Sequence, residues 1–265
     1  MPWTERQRAM LGAMGITVWT PAAARRDDNA ALPAAPSSLR PSQPSVQVDK
    51  RVAPLAVDAR SARESGSARS AREAEIAALD WPQLRVHVAA CRACRLCEGR
   101  TQTVFGVGNE QAHCMIVGEA PGENEDLQGE PFVGAAGQLL DRMLQAIGLT
   151  RASAEPARQV YIANTLKCRP PRNRNPEPDE LALCSTYLRR QIELVQPRLL
   201  LAMGRFAVQT LLDSSEPIGR LRGHVHRFGE RPVVVTYHPA YLLRNPADKA
   251  RAWADLCLAA EQLAR

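Results

Sequence analysis

The sequence predicts an α/β protein in three layers, with a central four-stranded parallel sheet between two layers of helices. Two observations predict this fold. Four short apolar runs show almost no alternation of polar and apolar residues, which is typical of strands buried on both faces. Segments with helical periodicity lie between these runs, so strand and helix alternate four times. The 265 residues also leave room for an extension beside one domain of ordinary size.

The predicted elements all lie in the second half of the chain. The predicted strands are residues 114–117, 160–165, 199–202 and 233–237. The predicted helices are residues 136–147, 178–195, 205–212 and 248–263. We expect them to form a single domain that spans residues 79–265.

The first 78 residues are predicted to lie outside this domain. Residues 21–78 consist mainly of Ala, Pro, Ser and Arg, a composition that cannot bury enough apolar surface to offset the entropy of ordering the chain. We therefore predict a long disordered linker. Residues 1–20 contain apolar side chains at roughly helical spacing, which indicates either a short docking peptide or an extension without a function of its own.

The composition of the chain indicates where the protein is located and what it can bind. The chain has no run of about 18 apolar residues and a charged beginning, so we expect no membrane span, no secretory signal and a cytoplasmic location. In a reducing compartment, clustered cysteines bind metal more often than they form disulfides, and the chain has seven. The net charge of +6 favours a polyanionic partner only weakly.

Two separated cysteine pairs are candidate metal ligands. Cys91 and Cys94 form a Cys-x-x-Cys pair, and Cys168 and Cys184 form a second, wider pair. Two pairs that the fold brings together suit either zinc or an iron–sulfur cluster. Cys97 follows closely after Cys94, so spacing alone leaves open which of the first three cysteines bind.

The polar loops follow three of the predicted strands. They are residues 118–126, 164–171 and 238–241. Because the carboxyl ends of parallel strands meet at one edge of a sheet, and ligands bind outside that edge, we expect these loops to form the functional site.

Four motifs occur in order along the domain. They are CRACRLCEGRTQTVFGVGNEQAHCMIVGEAPGENED, GEPFVGAAGQLLDRML, VYIANTLKCRPPRNRNPEPDE and TYHPAYLLRNP. Together they resemble the family 4 uracil-DNA glycosylases, the iron–sulfur type. The resemblance covers about residues 91–263 and implies the uracil-DNA glycosylase fold. It also implies a monofunctional repair enzyme that flips uracil out of DNA and hydrolyses its N-glycosidic bond, leaving an abasic site without the aid of a divalent cation.

The resemblance also implies a cofactor and a set of base-binding residues. A structural [4Fe–4S] cluster would be held by Cys91, Cys94, Cys168 and Cys184, with Cys97 at a position that the family does not need. Phe132 resembles the ring that stacks on flipped uracil. Asn164 resembles the amide that reads uracil, because its NH2 can donate to O4 while its carbonyl accepts from N3–H. His238 resembles the donor to uracil O2, and Leu242 is the candidate wedge that fills the vacated stack.

The acidic loop after the first strand is expected to activate water. Ala120 stands where family 1 enzymes have an aspartate, and the family 4 pattern places carboxylates at Glu119 and Glu125 instead. We favour Glu119 as the group that orients water, with Glu125 in support, and the choice between them stays open. Backbone amides from Gly118 to Gly122 are expected to contact base and phosphate.

The N-terminal peptide suggests a partner besides uracil-containing DNA. Residues 11–19 are similar to the peptide with which the psi subunit of the bacterial clamp loader binds the chi subunit, which implies chi as a partner. We expect the protein itself to be a monomer. Two alternative functions remain at this point: a non-catalytic, metal-stapled DNA-binding module, and a zinc-dependent nucleotide hydrolase that uses the acidic loop as ligands.

Overall fold

The computed structural model of the chain describes Gly12 and residues 59–265, with side chains from Arg69 onward. Apart from Gly12, the predicted docking peptide and the predicted linker up to residue 58 lie outside the described residues. The domain predicted from residue 79 onward is described throughout.

Six strands form one mixed sheet. They are β1 (Val107–Gly108), β2 (Cys114–Gly118), β3 (Tyr161–Asn164), β4 (Leu199–Met203), β5 (Val225–Phe228) and β6 (Arg231–Thr236). Their order is β1-β3-β2-β4-β6-β5, and the four central strands are parallel neighbours. This confirms the predicted four-stranded parallel core. The edge strands β1 and β5 are antiparallel and were not predicted, because neither is a continuous buried apolar run.

Residues 59–265 also contain ten helices. They are α1 (Ala59–Ala78), α2 (Trp81–Ala90), α3 (Leu96–Gly99), α4 (Glu123–Gln128), α5 (Ala135–Ala146), α6 (Pro178–Val195), α7 (Arg205–Leu212), α8 (Ile218–Leu221), α9 (Pro239–Arg244) and α10 (Lys249–Leu263), with short 3-10 turns at Pro171–Asn173 and Pro246–Asp248. Four of them, α5, α6, α7 and α10, cover the sheet. The four predicted helices match α5, α6, α7 and α10 to within one residue at each end. No helix in the described part of the chain is both long and apolar enough to cross a membrane.

The core has two halves, one on each face of the sheet. Neighbouring residues of a strand point to opposite faces, so Met115 and Ile116 of β2 belong to different apolar clusters. The Ile116 side packs against α5 and α10, and the Met115 side packs against α6 and α7. The three predicted layers are therefore present.

The amphipathic helices begin and end where local chemistry requires. In α5, Leu139, Leu140, Met143 and Leu144 form one buried stripe, which is the spacing that a helix needs to cover a sheet. At the start of α6, Pro178 occupies the first turn, where its missing N–H costs nothing.

The predicted linker ends earlier than expected. Residues 59–78 form helix α1, and residues 71–265 belong to one compact unit. Within α1, Ile76 is 1% exposed and packs with Leu84, Val88 and Tyr187. The boundary at residue 79 follows from composition, which counts only a segment's own apolar residues, whereas most of the apolar surface that buries Ile76 comes from α2 and α6.

Candidate active site

An open groove lies along the edge where the parallel strands end. The loops after β2, β3 and β6 line it, as predicted, and they bring together Glu119, Asn164 and His238. The loop after β4 contributes as well, through Gly204 and Arg205. Sequence reasoning missed this fourth loop, although its position after a predicted strand was a sufficient signal.

Asn164 and His238 line this groove, and the ring of Phe132, which is 2% exposed, packs against His238 behind the lining. The rings of Phe132 and His238 are stacked, with centroids 5.1 Å apart and planes inclined by 27°. Gly118, at the end of β2, allows this convergence. A Cβ atom there would lie 2.3 Å from Oδ1 of Asn164 and 2.7 Å from the Phe132 ring, so any larger residue would displace both side chains.

Phe132 is held in an unusual backbone conformation. Its φ is 55°, in the left-handed region that aromatic residues rarely adopt. Oε1 of Glu125 accepts a hydrogen bond from the Phe132 N–H at 2.5 Å, and Oε2 accepts one from the Gly122 N–H at 2.5 Å. Gly137 supports the same loop, because a Cβ there would overlap the carbonyl oxygen of Phe132.

These contacts give Glu125 a role in holding the loop. Both of its carboxylate oxygens accept hydrogen bonds from backbone N–H groups, so the side chain holds the loop that carries Phe132. Neither spacing nor charge in the sequence distinguishes a carboxylate that binds backbone amides from one that faces the substrate.

Glu119 is the other carboxylate of this loop, and it lines the groove. Burial raises the pKa of Glu119, while the nearby Arg205 guanidinium lowers it. Within the described chain, no hydrogen bond to its carboxylate is found. A partly buried carboxylate with uncommitted oxygens can accept a proton from a water molecule in the groove.

Asn164 is almost fully buried, with 2% of its surface exposed. Its Nδ2 is buried and has no hydrogen-bond partner among the described residues. Leaving a buried donor unsatisfied costs about 1–3 kcal/mol, so each such atom requires an explanation, of which a bound ligand or a water molecule is one. This amide is therefore available to a ligand that offers an acceptor in the pocket.

His238 is the N-cap residue of α9. Its Nδ1 accepts a hydrogen bond from the Ala240 N–H at 3.2 Å. In a neutral imidazole only one nitrogen carries a proton, so this contact assigns the proton to Nε2. Burial, aided by the positive charge of Arg244, lowers the pKa of His238 to about 4. At neutral pH the residue is therefore an uncharged hydrogen-bond donor.

Leu242 does not occupy the position expected of a wedge. It is 0% exposed and belongs to the core cluster that contains Leu140 of α5. The next residue, Leu243, is 44% exposed. The prediction was wrong because two adjacent leucines are equivalent in sequence, whereas the phase of α9 turns one inward and the other to the surface.

A second cavity is lined by cysteines. These are Cys91, Cys94, Cys97, Cys168 and Cys184. Arg100 donates a hydrogen bond to Sγ of Cys168 at 3.0 Å, and the Lys167 backbone N–H donates to Sγ of Cys184 at 3.3 Å. Such N–H donors stabilise metal-bound thiolates.

The same cavity does not resemble a site for a single ion. In the part of the chain that the structure describes, no three His, Cys, Asp or Glu side chains are grouped as they would be around one metal ion. Burial raises the pKa of Cys184 to about 12 and also raises that of Cys168. These thiols therefore become ligands only with a cationic group that offsets the burial of their negative charge.

Comparison with known proteins shows the family to which the chain belongs. Residues 105–257 match the uracil DNA glycosylase superfamily. A type-4 uracil-DNA glycosylase of Archaeoglobus fulgidus is 47% identical over 167 residues, which cover 60% of this chain and 81% of the relative. The type-4 enzyme of Thermotoga maritima is 42% identical over 166 residues, covering 62% and 83%. A type-5 uracil-DNA glycosylase of Thermus thermophilus is 31% identical over 150 residues, covering 51% and 68%. The chain therefore belongs to the uracil-DNA glycosylase superfamily and, within it, to the type-4 uracil-DNA glycosylases.

Proposed function

We propose that this uracil-DNA glycosylase selects uracil with Asn164 and stabilises the departing base with neutral His238. The observation that carries the proposal is the arrangement of three side chains. A buried amide without a partner and an imidazole whose free nitrogen is a donor lie beside the Phe132 ring. This arrangement suits a flipped pyrimidine. An enzyme that removes such a base must stack its ring, form hydrogen bonds to its polar edge and stabilise it as it leaves.

Asn164 accounts for discrimination between uracil and cytosine. Its NH2 donates to O4 of uracil and its carbonyl accepts from N3–H. Cytosine presents an amino group and an unprotonated N3 at the same positions, so both contacts would become repulsive. A buried site that matches one hydrogen-bond pattern rejects the reverse pattern strongly, because its own polar groups are then left unpaired.

His238 and Glu119 act on opposite sides of the bond that breaks. As the bond between N1 of uracil and C1′ of the sugar breaks, its electron pair passes to the base, and Nε2–H of His238 donates to O2, where the negative charge accumulates. Water attacks C1′, and Glu119 orients this water and accepts its proton. The negative charge of Glu119 also stabilises the positive charge that develops on the sugar.

The groove supplies contacts for the rest of the DNA. Arg174, Arg205 and Arg244 line it, and cationic side chains along such a groove attract backbone phosphates without regard to sequence. Exposed Leu243 on α9 is the side chain placed to enter the base stack when uracil leaves it.

We further propose that Cys91, Cys94, Cys168 and Cys184 hold a [4Fe–4S] cluster. In such a cluster each thiolate binds a different iron, so the ligands need not surround a single point. The cluster would tie the turn after α2 to the loop after β3 and to α6, and would take no part in the reaction. The donors Arg100 and Lys167 suit thiolate ligands at this position.

A visible spectrum and a base-release assay test these proposals together. The purified protein should be brown, and it should release uracil from single- and double-stranded oligonucleotides in the presence of a chelator. Asn164→Ala and His238→Ala should each slow release while the iron content stays unchanged. Binding without release would favour the DNA-binding module, and a colourless protein inhibited by chelator would favour the zinc hydrolase.

The chi subunit remains a proposed partner, since residues 11–19 lie outside the described structure except for Gly12. We propose that this peptide brings a monomeric enzyme to the replisome. A pull-down with purified chi tests it: Trp19→Ala should abolish binding, and equal capture of the variant and the parent would refute the proposal.

A further inference from the structure

Lys167 forms a buried polar network directly behind Asn164. The lysine is 1% exposed, and its Nζ donates to the backbone carbonyl of Asn164 at 2.8 Å and to Oε1 of Gln191 at 2.7 Å. Gln191 is 0% exposed, and its Nε2 donates to the Phe105 carbonyl at 2.9 Å and to the Tyr161 hydroxyl at 3.2 Å. The network therefore links α6 to the end of β3.

This network fixes the peptide group that follows Asn164. On one side, Lys167 Nζ binds the carbonyl oxygen of that peptide. On the other side, the Thr165 N–H donates to the Gly118 carbonyl at 3.0 Å, and the Thr165 hydroxyl donates to the same oxygen at 3.1 Å. A peptide plane held at both ends fixes ψ of Asn164, and this angle helps to set the direction in which the side-chain amide projects from the backbone.

Burying the ammonium group of Lys167 in this space is energetically unfavourable. Charged side chains are rarely fully buried, and a hydrophobic residue of similar volume is often neutral or stabilising in such a position. The structure nevertheless places a lysine here, and its Nζ donates a hydrogen bond to the backbone carbonyl of Asn164, the residue proposed to recognise the base. Packing alone would be satisfied by methionine, so the hydrogen bond to the Asn164 carbonyl is the feature to explain.

We propose that Lys167 is a positioning residue for uracil recognition, acting through the backbone of Asn164 with Gln191 as its support. The inference rests on the proposed role of Asn164 and deepens it. The lysine contacts no substrate. It holds the amide in the orientation that matches uracil, so that the pocket is formed before the base enters it. Errors of about 1 Å in such an arrangement can cost about 100-fold in rate.

Two substitutions test the network at different distances from the cysteines. Lys167→Met keeps the volume and removes the donor, and Gln191→Met removes the support of the lysine without neighbouring a cysteine in sequence. We expect the single-turnover rate constant at saturating enzyme to fall about 10- to 100-fold in Lys167→Met and about 3- to 10-fold in Gln191→Met. Inhibition by free uracil should weaken in parallel, at unchanged iron per protein.

Tyr161→Phe is the matched control. It removes one buried hydroxyl at the far end of the network and leaves the bond from Lys167 to the Asn164 carbonyl in place. It should lower the melting temperature, as loss of a buried hydrogen bond does, while the rate constant stays within about twofold of that of the parent. A rate loss in Tyr161→Phe equal to that in Lys167→Met would show that any disturbance of the core has the same effect, and would refute positioning.

A double-mutant cycle separates positioning from general damage. If Lys167 acts through Asn164, then Lys167→Met should change the rate less than twofold in the Asn164→Ala background. An equal loss in both backgrounds would overturn the proposal. So would a full rate in iron-replete Lys167→Met, and if that variant loses its iron, Gln191→Met decides on the same criteria. A parental rate in Asn164→Ala alone would instead refute the proposed role of Asn164.

Discussion

His238 has two ring nitrogens with different roles, and different substitutions can remove one role at a time. Its Nδ1 caps α9 through the Ala240 N–H, and its Nε2–H is directed to the leaving base in the proposed mechanism. Asparagine places an oxygen near the position of Nδ1 but has no group at the position of Nε2. Glutamine places an NH2 near the position of Nε2 and loses the cap. His238→Asn and His238→Gln therefore each remove one of the two functions.

The structure sets the expected magnitude. Removing a donor that stabilises charge in the transition state typically costs about 2.7–4 kcal/mol, or about 100- to 1000-fold in rate. His238→Asn should show this loss at little cost in stability. His238→Gln should retain more of the rate but lose about 1 kcal/mol of stability, as loss of a helix cap typically does. The assay is single-turnover release of uracil from a single-stranded oligonucleotide, beside urea unfolding of each variant.

The pH dependence provides an independent measurement. Since the pKa of His238 is lowered to about 4, the imidazole is neutral throughout the range from pH 5.5 to 8, and the rate should show no inflection from its titration. The unfolded chain, whose histidine has a pKa near 6.5, takes up a proton first as pH falls. The contribution of His238 to stability is therefore complete above pH 6.5 and is lost as pH falls towards 4, by about 2 kcal/mol at pH 5.

Three results would refute this reasoning. The first is an inflection near pH 6.5 in the rate of the parent that is absent in His238→Asn. The second is an equal rate for the two variants, which would mean that the distal donor does not matter. The third is that the parent and His238→Asn lose the same stability between pH 8 and pH 5, which would show that His238 is not the group that titrates.

Two further predictions concern side chains that the sequence placed wrongly. Leu243→Ala should slow uracil release from double-stranded DNA about tenfold and leave release from single strands within twofold, because only a duplex needs its stack filled. Leu242→Ala should instead lower the free energy of unfolding by about 2–5 kcal/mol, as expected for a buried leucine, and the reverse pattern would restore the original assignment. Ile76→Ala should cost about 2–5 kcal/mol in urea unfolding, since Ile76 is buried against α2 and α6. An unchanged unfolding midpoint would mean that α1 does not belong to the folded unit.

The central sheet and its main helices could be read from local patterns. Strands buried on both faces require continuous apolar residues, and the amphipathic helices that cover them require a periodic stripe, so β2, β4, α6 and α7 are visible in the sequence alone. The edge strands β1 and β5 were not, because neither is a continuous buried apolar run. The C-terminal part of α1 was missed for another reason, since the side chains that bury Ile76 come largely from α2 and α6.

The sequence by itself indicated the types of residue in the site and the edge of the sheet where they meet, because each polar loop directly follows a strand with a recognisable local pattern, and parallel strands end at the same edge. Only the tertiary structure decided what each side chain does there. It showed Glu125 bound to backbone amides, Leu243 exposed in place of Leu242, and Lys167 behind Asn164. These assignments depend on the phase of a helix and on which backbone groups each side chain meets in the folded loops, and the pattern of residue types does not contain that information.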